Sequence, residues 1–150
     1  MRLLRLVIAF LAVAGALAYL RDPAWLAGQT TGLRPWQRAA DGTAFRWSEG
    51  HASFFVPADA QSIRVPISTT FDDPGAPPMV VSFAVDDVRA ARVMLTEEAW
   101  TDVVILLPPR GSRRVRRIDV RTSVTRQDNR GARIGEIEVI RATRNASAKR

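Results

Sequence analysis

The sequence has no cysteine and a single histidine. The first absence excludes a disulfide framework and any thiolate metal site. The second leaves His51 as the one imidazole that a serine nucleophile could use, with Ser48 or Ser53 near it in the chain. No G-x-S-x-G elbow accompanies it, so His51 reads as a structural or surface residue. Aromatic residues make up 7% of the chain, and none follows Trp100. The basic C-terminal third therefore lacks stacking platforms, which argues against single-stranded nucleic acid as a ligand. Beyond residue 42 no stretch repeats apolar residues at the helical period, which excludes a parallel α/β sheet. No internal repeat points to a propeller or solenoid.

What is present begins with an apolar N-terminus. Arg2 and Arg5 precede an uninterrupted run from Leu6 to Leu20, closed by Arg21-Asp22-Pro23. Ala16-Leu17-Ala18 offers the small-x-small pattern of a cleavage site, as in a signal peptide. With Arg5 snorkelling, Leu3–Leu20 approaches the roughly 30 Å of a hydrocarbon core, as in an uncleaved anchor. Tyr19 and Trp25 sit where an interfacial aromatic belt would lie. The favoured expectation is one N-terminal transmembrane span in the inner membrane, residues 1–22, a signal peptide being the alternative. The positive-inside rule then places the body in the periplasm or outside the cell. Residues 23–41 hold Gly28, Gly32 and Pro35 with no surviving period, and read as a linker.

Residues 42–141 alternate apolar and polar positions in short runs punctuated by turn formers. Phe45 and Trp47, then Ala52, Phe54 and Val56, then Ile63, Val65 and Ile67 predict three strands. The turns expected between them are Ser48-Glu49-Gly50 and Pro57-Ala58-Asp59. Met79–Val85, Ala91–Leu95, Val103–Leu107, Ile118–Val124 and Ile137–Val139 follow, with Asp86-Asp87 in a turn. About eight short strands predict an all-β fold, a two-sheet antiparallel sandwich of jelly-roll type. Residues 142–150 form a basic tail.

Charge is unevenly placed. Residues 110–150 hold 13 Arg or Lys against 4 Asp or Glu, while the chain as a whole carries +7. Arg117 and Arg121 share one side of a strand by parity, and Arg126 follows, so these three are expected to contact an anionic surface. The carboxylate pairs Asp72-Asp73, Asp86-Asp87 and Glu97-Glu98 each fall in a connection. Turns favour Asp for local backbone bonding, so no catalytic pair and no metal or cofactor site is expected. Trp47 is in phase with Phe45 and reads as core, leaving Arg46 on the opposite, exposed face. Trp100 follows a turn and is the expected stacking face. Asp128, Arg130 and Arg133 lie on a loop at a sandwich end, where ligand groups gather. Arg46, Trp100, Asp128, Arg130 and Arg133 are thus the expected ligand-binding set.

Thr31-Gly32-Leu33-Arg34-Pro35-Trp36, then Phe45-Arg46-Trp47-Ser48, and an ending Asp128-x-Arg130…Arg133-Ile134-Gly135-x-Ile137-x-Val139 form a pattern. Over residues 32–140 this resembles a small extracytoplasmic β-sandwich domain of bacteria. That domain is appended to membrane glycosyltransferases of the protein mannosyltransferase type and to other envelope-polysaccharide proteins. The resemblance implies a non-catalytic accessory module that binds glycan or docks onto envelope glycosyltransferase machinery. The competing expectation is a structural or assembly protein that contacts anionic lipid or a membrane partner through its arginines.

Overall fold

The computed structural model describes residues 2–21, 23–71, 75–109 and 113–141. Among them ten strands form one curled antiparallel sheet. They are β1 Thr30–Leu33, β2 Gln37–Arg38, β3 Ala44–Pro57, β4 Ala60–Ser68 and β5 Met79–Val85. The others are β6 Val88–Leu95, β7 Thr101–Leu106, β8 Val115–Thr122, β9 Arg133–Ile134 and β10 Glu138–Arg141.

The long strand β3 belongs to two layers. Its first part pairs with β2 and β9, its second part with β8, and β1 runs along its other edge. One layer continues β3-β8-β5-β6. The other continues from β9 through β4, which carries β10 on one side and β7 on the other. A strand that passes from one sheet to the next makes the corner of such a sandwich. Phe54, Ile63, Val65, Ile67, Met79, Val81, Phe83, Ile105, Ile118 and Val120 fill the space between the layers. Each faces inward at every second position of its strand, as pleating requires.

The β fold and its alternation are as expected, and the organisation differs in three places. Residues 44–57 are one strand of 14 residues, not two strands around a turn at Ser48-Glu49-Gly50. Small residues sit there because a second backbone crosses closely. Gly131 N donates to Ser48 O at 2.7 Å, and Ala132 N to Ser48 Oγ at 2.9 Å. A Cβ at Gly131 would lie 2.6 Å from Ser48 Oγ. The segment expected as a linker supplies β1 and β2. Its period is broken because the register shifts between Thr31 and Leu33, around Gly32 at φ +65. The last expected strand, Ile137–Val139, corresponds to β10, and the loop expected before it supplies the short strand β9. The Asp86-Asp87 turn holds both residues at positive φ, +48 and +71, the type I′ geometry that fits hairpin twist.

The helix α1 covers Arg2–Arg21. Among the described residues no helix is long and apolar enough to cross a membrane. The expected N-terminal helix is present, and a membrane span by it is not shown. The run between Arg5 and Arg21 gives only about 22 Å of helix at 1.5 Å per residue, against a core of about 30 Å. Its apolar side chains nevertheless stand in the open, Leu3, Leu6, Phe10, Val13 and Leu17 among them.

Candidate functional site

Parity along an unbroken β3 decides which way its aromatics point. Arg46 pairs across the sheet with Ile134, a core residue, so Arg46 faces inward. Trp47 pairs with Arg133 and faces outward. This reverses the orientation expected from the sequence, although Trp47 is buried, 5% exposed. Outward burial comes from a cover of rings and guanidinium groups. Phe45 meets Trp47 edge-to-face at 5.8 Å, and Trp100 lies 6.3 Å from Phe45. The Arg133 guanidinium stands 5.7 Å from Phe45, 5.9 Å from Trp47 and 5.6 Å from Trp100. Arg130 stands 5.6 Å from Trp47 and pairs with Asp128 at 3.0 Å.

Four of the five expected ligand residues, Trp100, Asp128, Arg130 and Arg133, are therefore brought together. Part of their hydrogen-bonding capacity is already engaged. Arg133 donates to Ser68 Oγ at 2.8 Å and to Thr69 O at 2.7 Å, and Arg34 donates to the Asp128 carbonyl. The Trp47 ring offers no free face. The cluster closes one side of the sandwich by cation–π packing.

Arg46, the fifth, lies elsewhere. Its Nε donates to Arg34 O at 2.6 Å, and its terminal nitrogens donate to Thr30 Oγ1 and Leu33 O at 3.0 Å each. Its guanidinium lies 5.7 Å from the Trp36 ring centre. Trp36 is 55% exposed. Both residues line a cleft of about 350 Å3 with Leu33, Phe54, Ile134 and Ile137. β1 and β2 position this site, since Thr30, Leu33 and Trp36 come from the segment that showed no period. An exposed indole steadied on one side by a planar cation, beside an apolar cleft, can stack a flat ligand. Trp36 stands outside the expected ligand-binding set, although the sequence offers it with Trp47 and Trp100 as a flat face for a sugar ring. An isolated tryptophan outside the β pattern was its one signal.

Of the arginines expected to meet an anionic surface, Arg117 and Arg121 share the outer face of β8, and Arg126 is engaged elsewhere. Arg126 stands 5.0 Å from the Phe71 ring and donates to Pro77 O at 3.0 Å. Arg117 Nε donates to Asp119 at 3.0 Å, and its terminal nitrogen pairs with Asp87. Arg121 remains exposed on the outer face of β8. Of the carboxylate pairs, Asp72 and Asp73 lie outside the described residues. Glu98 Oε1 accepts from Phe71 N at 2.8 Å, a contact between two separate connections.

Asp119 is 7% exposed although it faces outward. Ser53 Oγ donates to its Oδ1 at 2.6 Å, and His51 Nε2 is 3.3 Å from the same oxygen. Burial pushes its carboxyl up, but the Ser53 hydrogen bond and the Arg117 charge outweigh this and hold it below its ordinary value. Asp119 in turn holds the Arg117 guanidinium above its ordinary value. A depressed carboxyl contributes stability that is full above the unfolded value of about 3.9 and is lost as pH falls through the folded value. Asp119→Asn should therefore destabilise by about 1.5–3 kcal/mol at pH 7, the range for hydrogen bonds to charged groups. The deficit should shrink near pH 3. Urea midpoints of both proteins at both pH values check it, and an equal deficit at each would remove carboxylate ionisation as the cause.

No protein-family model matches the chain. No curated protein matches it either. Solved structures resemble it in fold. A family two carbohydrate esterase from Cellvibrio japonicus is similar over 78% of this chain and 32% of its own, with 8% identity and a TM-score of 0.50. A salicylyl-acyltransferase from a tetracycline biosynthetic pathway is similar over 81% and 38%, with 16% identity and a TM-score of 0.50. A family 35 carbohydrate-binding module from an environmental isolate is similar over 72% and 85%, with 17% identity and a TM-score of 0.43. The chain spans about a third of the length of the esterase and the acyltransferase. At these identities the likeness concerns the β-sandwich fold alone.

Proposed function

We propose that the protein is a non-catalytic β-sandwich module that binds glycan. The observation that carries this reading is Trp36, exposed on one face and steadied by Arg46 at the rim of an apolar cleft. Stacking on an indole suits the apolar face of a sugar ring. A domain of this fold also forms part of a chain named a carbohydrate esterase.

The arrangement around His51 supports a non-catalytic role. Ser53 donates straight to Asp119, and the imidazole touches the same oxygen rather than standing between serine and acid. A triad needs the base on the nucleophile and the acid behind the base. We extend the proposal to location. Arg2 and Arg5 before an apolar run of this length suit an export signal, so the sandwich works outside the cytoplasm. Docking beside envelope glycosyltransferases follows from the resemblance of the Trp36 and Phe45-Arg46-Trp47 segments.

Trp36→Ala tests the reading. The ring is exposed, so stability should change by no more than about 0.5 kcal/mol. Calorimetric titration with neutral envelope oligosaccharides should show a dissociation constant near 1 mM, about −4 kcal/mol, in the parent protein. Binding should weaken at least tenfold in the variant. Absence of heat from every saccharide tried would sink glycan binding and leave docking to a protein partner.

A further inference from the structure

On the outer face of β3, β8, β5 and β6 the registers align residues in rows. His51 faces Arg121, Arg121 faces Ser82, and Ser82 faces Arg92. In the next row Ser53 faces Asp119, Asp119 faces Ala84, and Ala84 faces Arg89. Strands lie about 4.8 Å apart, so the arginines on β8 and β6 stand about 10 Å from one another across β5. The residues between them, Ser82 and Ala84, are small. The result is a trough of about 300 Å3 with Ser82 and Ala84 on its floor and Arg89, Arg121, Asp87 and Asp119 along its sides.

The charges in this trough are unbalanced in a directed way. Asp119 and Asp87 are engaged by Arg117. Among the described residues Arg89, Arg92 and Arg121 have no acid within ion-pair reach. A surface cation left to solvent is ordinary. Arg89 and Arg121 along a depression with small residues on its floor, and Arg92 facing the floor residue Ser82, give it a positive excess over acids that Arg117 already engages. Guanidinium groups are suited to carboxylate and phosphate because they donate in a fixed planar fork. Asp87, with its side chain 80% exposed, keeps carboxylate capacity at the same wall to accept from hydroxyls.

We propose that this trough binds an anionic saccharide, its carboxylate or phosphate held by Arg121, Arg89 and Arg92 and its hydroxyls by Asp87 and Ser82. The proposal rests on the glycan-binding reading but uses none of the residues around Trp36. It deepens that reading by naming the substrate class as acidic sugar.

The test is calorimetry on the full chain, held in a polyoxyethylene detergent so that no glycosidic headgroup competes. The probes are glucuronate, glucose 6-phosphate, glucose and inorganic phosphate. Glucuronate or glucose 6-phosphate should bind at least tenfold more tightly than glucose, and the tighter of the two names the anion. Added salt should weaken binding, because screening shortens to about 8 Å at physiological ionic strength. Arg121→Ala and Arg89→Ala should each weaken anion binding about tenfold with the thermal midpoint unchanged, whereas Trp36→Ala should leave it intact. Inorganic phosphate binding as tightly as the sugar phosphate would overturn the saccharide assignment. Glucose equal to glucuronate, or Arg121→Ala without effect, would overturn the trough itself. If Trp36→Ala alone abolishes saccharide binding, the trough fails and the cleft reading stands. If no probe binds, the trough proposal fails, while neutral oligosaccharide heats decide the cleft.

Discussion

Trp47→Ala should lower the stability of the sandwich by about 3–5 kcal/mol, the range for removing a buried large aromatic. The expectation does not come from the main core. Phe54, Ile63 and Phe83 fill the space between the layers, whereas Trp47 lies on the far side of its sheet. Its burial at 5% exposure is produced by Phe45, Arg130 and Arg133. Truncation therefore empties a volume and also strips two guanidinium groups of their ring. Arg133 Nε is buried with no hydrogen-bond partner, so that side chain depends on the rings around it. Trp47→Phe should recover more than half of the loss, since a smaller ring still offers a face. Urea unfolding of both variants measures this. A change within about 0.5 kcal/mol for the alanine variant would place Trp47 among solvated surface residues instead.

The same residue shows how much of the fold was legible. Apolar alternation marks β4, β5, β7 and β8 correctly, because each has one face on the core and one in water. The stretch from Phe45 to Val56 has two alternations of opposite parity, Phe45 and Trp47 at odd positions, Ala52, Phe54 and Val56 at even ones. A turn at Ser48-Glu49-Gly50 reconciles them on one face. A continuous strand reconciles them as two buried faces, and only the crossing of Gly131 and Ala132 over Ser48 shows which is right. That crossing joins distant segments and leaves no periodic trace.

The site was less legible for the same reason. Trp36 and Arg46 meet because β1 and β2 add to β3, and the bulge at Gly32 hides β1 from any period. A Cβ at Gly32 would fall 2.2 Å from His51 O, so the break in pattern is itself a packing requirement. Arg89 and Arg92 are three apart, and strict alternation puts them on opposite faces. The register shift between Phe83 and Ala84 inserts Ala90 as an extra residue and returns both arginines to the outer face. A bulge of this kind re-aims side chains without changing composition.

Asp86→Ala should cost about 3–5 kcal/mol, because it removes one partner of a buried pair and leaves the other charge uncompensated. Arg116 is 7% exposed and donates to Asp86 Oδ2 at 2.7 Å. Its remaining contacts are the carbonyls of Pro108 and Pro109 at 2.7 and 3.1 Å, which carry no full charge. Asp86 Oδ1 also accepts from Arg117 N at 3.0 Å and pairs with Arg113 at 3.1 Å. One carboxylate thus ties the β5–β6 turn to the start of β8. A second contribution comes from the backbone, since Asp tolerates φ +48 better than Ala does. Asp86→Asn separates the two. It keeps the turn preference and a hydrogen-bond acceptor but loses the charge, so it should fall between the parent and the alanine variant. Pairing Asp86→Ala with Arg116→Met should restore much of the loss, because the buried cation that lacked a partner is gone. Additive losses in the double variant would mean that Arg116 and Asp86 act independently. A loss within about 0.5 kcal/mol for Asp86→Ala alone would mean that water, not Asp86, satisfies Arg116.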